Sequence, residues 1–295
     1  MARTRTGNYE IGFRQIGSDW EKDLAGWIDF ARRSDLMTVD SVGWPIEAIR
    51  LIAGSGLKIG TVDLLQPWAD LAAADAGKRK EAVAATVEHV LQAVEAGAKN
   101  FFAVVFPETD SADRRASFAS AVAGYGELAA AIRKSGARIS IEGYPGRRPL
   151  YPSLVCTPET YRTFFREIDS EVLGVNYDPS HLLRMGIDPL RFLREFAGRI
   201  VHVHAKDTEI LAEGLYEYGN LQPATFSSPR AFGGHHWRYT IPGRGGCDWP
   251  GLLAELERAN YRGAISIELE DADFDTSPEA EQRGLLTAKE YLESI

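Results

Sequence analysis

The sequence predicts a (β/α)8 barrel, and three observations carry the prediction. Short apolar or β-branched runs alternate with longer helical stretches, the pattern of βαβ units on a parallel sheet. The alternation repeats eight times across all 295 residues. No GxGxxG turn opens the first helix, and a doubly wound sheet would more often carry one. Length alone is compatible with two ordinary domains, but a barrel commonly uses about 250 residues as one unit. The expectation is therefore a single domain spanning residues 1–295.

The first strand is read at Glu10–Arg14 and feeds a helix over Trp20–Arg33; Leu36–Ser41 and Pro45–Ala53 repeat the unit. The third unit pairs Leu57–Leu65 with Ala76–Ala96, the fourth Asn100–Phe106 with Asp113–Ser135. These two helices are alanine-rich, the composition of highest helix propensity. The fifth pairs Arg138–Glu142 with Pro158–Ile168, the sixth Leu173–Asp178 with Pro189–Phe196. Ile200–Lys206 precedes a helix at Trp249–Ala259, and Ala264–Glu270 one at Ser277–Ser294. Ser111, Thr157, Asp188 and Asp248 are placed to cap helix N-termini. One stretch breaks the rhythm: Thr208 to Cys247, after the seventh strand, has no periodic pattern of its own. A loop of that length in a compact domain is usually functional or disordered.

Composition narrows the function classes. A hydrophobic fraction of 44% and a charged fraction of 25% are those of a globular protein, and a formal net charge of −9 argues against nucleic-acid and anionic-membrane partners. No apolar stretch follows the opening residues and no segment approaches about 18 uninterrupted apolar residues, so no membrane span and a cytoplasmic location are expected. Cys156 and Cys247 are the only cysteines and form no CxxC pair. That usage fits reduced thiols and rules out a cysteine-based zinc site.

In a barrel the active site is built at the carboxyl ends of the strands. Side chains alternate across a strand with period two. Ser140 and Glu142 therefore share the inward face of the fifth strand, Asn176 and Asp178 that of the sixth, His202, His204 and Lys206 that of the seventh, and Ser266, Glu268 and Glu270 that of the eighth. Burying three carboxylates beside a histidine costs several kcal/mol per ion unless they are paired or hold a metal. Glu142, Asp178, His204 and Glu268 form an O3N set that suits one divalent ion, with Mn²⁺ the first expectation and Mg²⁺, Co²⁺ or Zn²⁺ also admissible. Glu270, nearer the rim, is an alternative to Glu268. His202, two residues deeper, reads equally well as a hydrogen-bonded core group.

The segments IEGYP, NYDPSH, VHVHAKD, PGRGGCDW and ISIELED, in that order, resemble the sugar isomerase/epimerase superfamily of xylose isomerase-like barrels. Ketose 3-epimerases and inosose dehydratase belong to it, and endonuclease IV more distantly. The resemblance covers Ser140 to Glu270 by motif and the earlier half by fold order. It implies that Glu142, Asp178, His204 and Glu268 bind one divalent metal, that Glu142 and Glu268 double as acid and base, and that His181 contacts substrate. Lys206 and Arg244 are further candidates for gripping substrate oxygens, Lys206 from its inward parity and Arg244 from its glycine-rich turn.

Such a site favours proton transfer next to a carbonyl. Return of the proton to the opposite face of the same carbon is epimerisation, and return to the neighbouring carbon is isomerisation. A leaving group β to the carbanion turns the same first step into a lyase or dehydratase reaction on a keto-sugar, keto-glycoside or inosose. A non-catalytic sugar-binding subunit and a nuclease are the weaker readings, because both glutamates are present and only six histidines occur in an acidic chain. The expected partner is a small sugar, with a homo-oligomer or a partner subunit left open. The Thr208–Cys247 loop is expected to set substrate choice without building the catalytic centre.

Overall fold

The computed structural model describes residues 1–110, 112–146, 152–221 and 223–295. Ser111, expected as a helix cap, lies outside them. Eight parallel strands close into a barrel: β1 (Ile11–Arg14), β2 (Thr38–Ser41), β3 (Lys58–Asp63), β4 (Asn100–Ala103), β5 (Arg138–Glu142), β6 (Leu173–Tyr177), β7 (Ile200–Ala205) and β10 (Ile265–Ile267). They pair in sequence order, and β10 closes the ring between β7 and β1. The expected eight strands are all present; the fifth has its expected bounds and the other seven are trimmed by one to three residues at an end where the ladder stops.

Helices α1 (Leu24–Arg33), α2 (Ile46–Gly54), α3 (Ala76–Glu95), α4 (Arg114–Ile132), α5 (Pro158–Glu167), α7 (Pro189–Phe196), α9 (Trp249–Arg258) and α10 (Pro278–Ser294) fill the expected places. Thr157, Asp188 and Asp248 cap them through side-chain acceptors, with proline at the first helical turn in each case. The first helix starts later than expected. Buried Glu21 gathers the backbone N–H groups of Ile16, Gly17 and Ser18 at 2.9, 2.7 and 3.0 Å, and a 3-10 turn at Asp19–Lys22 takes up its first residues. A short helix, α6 (Pro179–Arg184), was not anticipated; Asp178 caps it by accepting from Ser180 N at 2.8 Å.

The Thr208–Cys247 segment is more ordered than its pattern suggests. It carries an antiparallel hairpin of β8 (Asp207–Ile210) and β9 (Trp237–Thr240), and a helix α8 (Ala212–Tyr218). Long-range pairing of its two ends built this hairpin, and local periodicity does not report such pairing. Apolar side chains of the strands' outer faces, such as Ile139, Ile141, Val175 and Val203, are fully or almost fully buried, forming the layer between sheet and helices. Among the described residues no helix is long and apolar enough to cross a membrane.

Candidate active site

The register brings the inward residues of the later strands to one level. Glu142 pairs with Asn176 across β5 and β6, and Ser266 with His204 across β10 and β7. Glu142, Asp178, His204 and Glu268 meet at the carboxyl end, with one ligand atom from each within 4.8 Å of all the others, and all four are buried. His204 Nδ1 faces Glu142 Oε1 at 2.8 Å and Glu268 Oε2 at 3.5 Å. Asp178 Oδ2 is buried and makes no hydrogen bond among the described residues. Three carboxylates and one imidazole with an unsatisfied buried oxygen suit a divalent ion. The residues present fit the metal that the sequence implies.

His181 is fixed from both sides. Its Nε2 lies 3.2 Å from Glu142 Oε2 and its Nδ1 lies 2.5 Å from the Tyr239 hydroxyl. A carboxylate only accepts, so His181 Nε2–H donates to Glu142, and Nδ1 is placed to accept from the tyrosine O–H. Arg184, on the same helix as His181, donates in turn to the Tyr239 oxygen.

Lys206 is almost fully buried within the cluster. Its ammonium donates to Glu268 Oε2 and to Glu270 Oε2, the latter at 2.9 Å, lies 3.1 Å from Asp178 Oδ2, and sits 4.6 Å from the centre of the Tyr239 ring. Glu270 is thus a partner of the lysine. Asp207, the next residue in sequence, turns away from the lysine and accepts from the backbone N–H groups of Thr208, Gly243 and Cys247 at 2.8, 3.2 and 2.9 Å. That gathering shapes the PGRGG turn and directs Arg244 outward, where it is exposed with its guanidinium 5.1 Å from the centre of the Phe274 ring. Arg244 therefore does not join the cluster.

The charges set the proton affinities. For Glu142, burial and nearby Glu268 raise the affinity, but His181 and His204 together hold the carboxyl below its ordinary range. For Glu268, burial is outweighed by Lys206, His204 and Arg14, and the carboxyl is held well below that range. Burial opposes charge on His204 and on Lys206, yet the surrounding carboxylates raise both well above their usual values.

Below this cluster lies a second one. Asp40 on β2 accepts from His202 Nε2 at 2.8 Å and from Thr61 N at 2.8 Å, and its Oδ2 lies 3.6 Å from His204 Nε2. Burial raises the proton affinity of Asp40, but His202 and His204 pull it below the ordinary range. Sequence reading had left His202 open and missed Asp40. It also missed Arg14, Asp63 and Phe102 on β1, β3 and β4, and Tyr239 on the hairpin. The signal was available for three of them: in IGFR, TVDS and KIGTVD the last charged residue has the same inward parity that singled out Glu142.

Trp20 donates to Glu281, Trp44 packs on Trp27, and Trp68 lies edge-on to Phe102, a wall of the site. A hollow of about 460 Å³ at the amino end of the barrel is lined by Arg3, Glu10 and Lys58 among others. Its glutamate is already paired by both cations. The converging ligand atoms lie at the opposite end.

A family model described as xylose isomerase-like TIM barrel matches residues 10–294. The chain belongs to that family. Among curated relatives, an uncharacterized protein, YfiH, of Bacillus subtilis is 35% identical over 141 residues, covering 47% of this chain and 42% of its own length. An inosose dehydratase of Clostridium tetani is 28% identical over 124 residues, 42% of this chain and 39% of the relative. This chain thus spans less than half the length of the relatives it matches. Solved structures share the whole fold with it. D-psicose 3-epimerase of Clostridium cellulolyticum, solved with D-tagatose, superposes with a TM-score of 0.69 at 14% identity over 97% of this chain and 100% of the other. The IOLI protein with a bound zinc atom gives 0.65 at 16% identity over 96% and 95%.

Proposed function

We propose that this chain is a divalent-metal-dependent enzyme that moves a proton at the carbon beside the carbonyl of a ketose or keto-sugar, as an epimerase or isomerase. The observation that carries the reading is the convergence of Glu142 and Glu268. They come from β5 and from the end of β10, strands separated by β6 and β7, and their carboxylates reach one buried point. Two bases arriving from different sides of one site have access to different faces of a bound sugar. Glu142, Asp178, His204 and Glu268 would hold the ion, with Mn²⁺ favoured. When bound, such an ion polarises a carbonyl oxygen and stabilises the charge that develops there.

The protein's own residues divide the remaining work. Glu142, oriented by Asn176 Nδ2 at 2.9 Å and by His181, takes or returns a proton on one side. Glu268 serves the other. His181, held between Tyr239 and Glu142, would border the space where substrate oxygens lie and keep the Glu142 carboxylate in place, and Lys206 supplies a buried ammonium to the same space. Elimination is the second reading. It is favoured by the match to an inosose dehydratase and by that ammonium, a ready donor to a departing hydroxyl group.

Protein dialysed free of metal, reconstituted with Mn²⁺ and incubated with a panel of ketoses in D2O tests both. Deuterium is expected at the carbon beside the carbonyl, and Glu142→Gln or Glu268→Gln is expected to slow its entry by about 10²–10⁴. Turnover without solvent deuterium, or near-wild-type exchange by both variants, overturns the acid/base assignment.

A further inference from the structure

Arg14 ends β1 inside the barrel, and nothing in the resemblance or the catalytic reading above uses it. It is 6% exposed. One terminal nitrogen, Nη2, donates to Asp63 Oδ1 at 2.9 Å, and Nε lies 3.2 Å from Glu268 Oε1. The guanidinium lies over the Phe102 ring, 4.0 Å from its centre, and the same ring stacks on His204 at 5.4 Å. A buried guanidinium fixed by a carboxylate on either edge and an aromatic plane has little freedom left. Its third nitrogen, Nη1, is also buried and has no hydrogen-bond partner among the described residues.

Two consequences follow. Glu268 is gripped at both oxygens, Oε1 by Arg14 and Oε2 by Lys206, so the direction its carboxylate faces is set by two cations arriving from different strands. The free N–H pair of Nη1 belongs to the same rigid group that touches Glu268 and Phe102, so it borders the site. A buried charged donor left without an acceptor is costly, and a ligand oxygen relieves that cost.

We propose that Arg14 is a specificity-determining residue of this site. It positions Glu268 through Nε and binds a substrate oxygen, hydroxyl or carbonyl, through Nη1, while Asp63 and Phe102 hold its plane. The role as a substrate contact rests on the sugar-proton-transfer reading above, and the contact with Glu268 stands on geometry alone. Lysine could keep the positive charge beside Glu268, but it lacks the planar fork that reaches Asp63, Glu268 and a third oxygen together.

The test uses full-length protein loaded with Mn²⁺ and compares wild type with Arg14→Gln, Arg14→Lys and Asp63→Asn. Steady-state kinetics on the best ketose of the panel are paired with calorimetric binding of the matching polyol, which has no carbonyl and does not react. Arg14→Gln is expected to raise KM at least tenfold, lower kcat at least tenfold and weaken polyol binding at least tenfold. Arg14→Lys is expected to recover kcat in part and leave KM high, a split that loss of packing alone does not produce. Asp63→Asn is expected to raise KM a few-fold. Polyol binding and kinetic constants of Arg14→Gln within twofold of wild type overturn the assignment, as does a parallel recovery of kcat and KM by lysine. Wild-type turnover without solvent deuterium sinks the acid/base reading and leaves the binding arm to decide Arg14.

Discussion

Two buried polar clusters share His204 inside one barrel, and they balance their charges differently. In the lower cluster one carboxylate, Asp40, faces two imidazoles and a backbone N–H, so each of its oxygens accepts from a donor and the group is complete within the protein. In the upper cluster four carboxylates, Glu142, Asp178, Glu268 and, at the rim, Glu270, face two permanent cations, Lys206 and Arg14, and the imidazoles of His181 and His204, and a buried acceptor, Asp178 Oδ2, is left without a hydrogen bond. A self-sufficient cluster is a scaffold; a cluster with surplus negative charge is built to receive something positive. His204 joins them, presenting Nδ1 upward and Nε2 toward Asp40. Carboxylate, imidazole and metal in series is the usual way a ligand ring is aimed.

The comparison makes the largest effect a loss confined to the upper cluster. Asp178→Asn removes a ligand charge and is expected to lower affinity for Mn²⁺ more than 10²-fold. Asp40→Asn leaves all four ligands in place and disturbs only the group behind His204, so a loss of 10–100-fold in metal affinity or activity is expected. Equilibrium dialysis of both variants against Mn²⁺ measures the difference. Equal losses would mean that the two clusters act as one unit, and unchanged affinity in Asp40→Asn would make the lower cluster scaffold alone.

A smaller effect is expected where backbone, not charge, supports the lower cluster. A Cβ at Gly60 would lie 2.1 Å from Asp40 Oδ1 and 3.0 Å from the His202 ring. Something must shift, and overpacking of this kind costs roughly 1–3 kcal/mol. Gly60→Ala is therefore expected to lower stability by about that amount in denaturant unfolding. Loss of metal affinity with unchanged stability would place the damage in the upper cluster and break the division.

How far the sequence could be read follows from which forces act locally. Period-two alternation and helix capping are written in neighbouring residues, so the eight strands, most helices and the inward convergence of Glu142, Asp178, His204 and Glu268 were legible. The hairpin of β8 and β9 was not, because its pairing joins Asp207 to Thr240 across a long insertion. With it went Tyr239, and with Tyr239 the support of His181. The insertion therefore reaches the centre that it was expected only to border. Arg14, Asp40 and Asp63 obey the same parity as the later ligands, but they lie on strands outside the motif-bearing stretch from Ser140 to Glu270.

Arg244 provides the smallest effect and the sharpest check on what a motif alone can say. Its glycine-rich turn makes it a candidate, on sequence alone, for gripping a substrate oxygen. In the structure Gly243 N and Cys247 N donate to Asp207, and a Cβ at Gly245 would lie 2.2 Å from Asp207 Oδ1, so the glycines serve the close approach of a carboxylate from the protein itself. The arginine is left exposed over Phe274, a contact worth at most about 0.5–1 kcal/mol at such a site. Arg244→Ala is therefore expected to change stability by no more than that amount, to keep kcat and KM within threefold of wild type, and to leave metal uptake unaltered. The same kinetic and dialysis measurements decide it. A tenfold rise in KM would return Arg244 to the substrate and show that the turn moves inward when a sugar binds. An unchanged KM beside a raised one in Arg14→Gln would instead assign the grip on substrate to the buried guanidinium of β1.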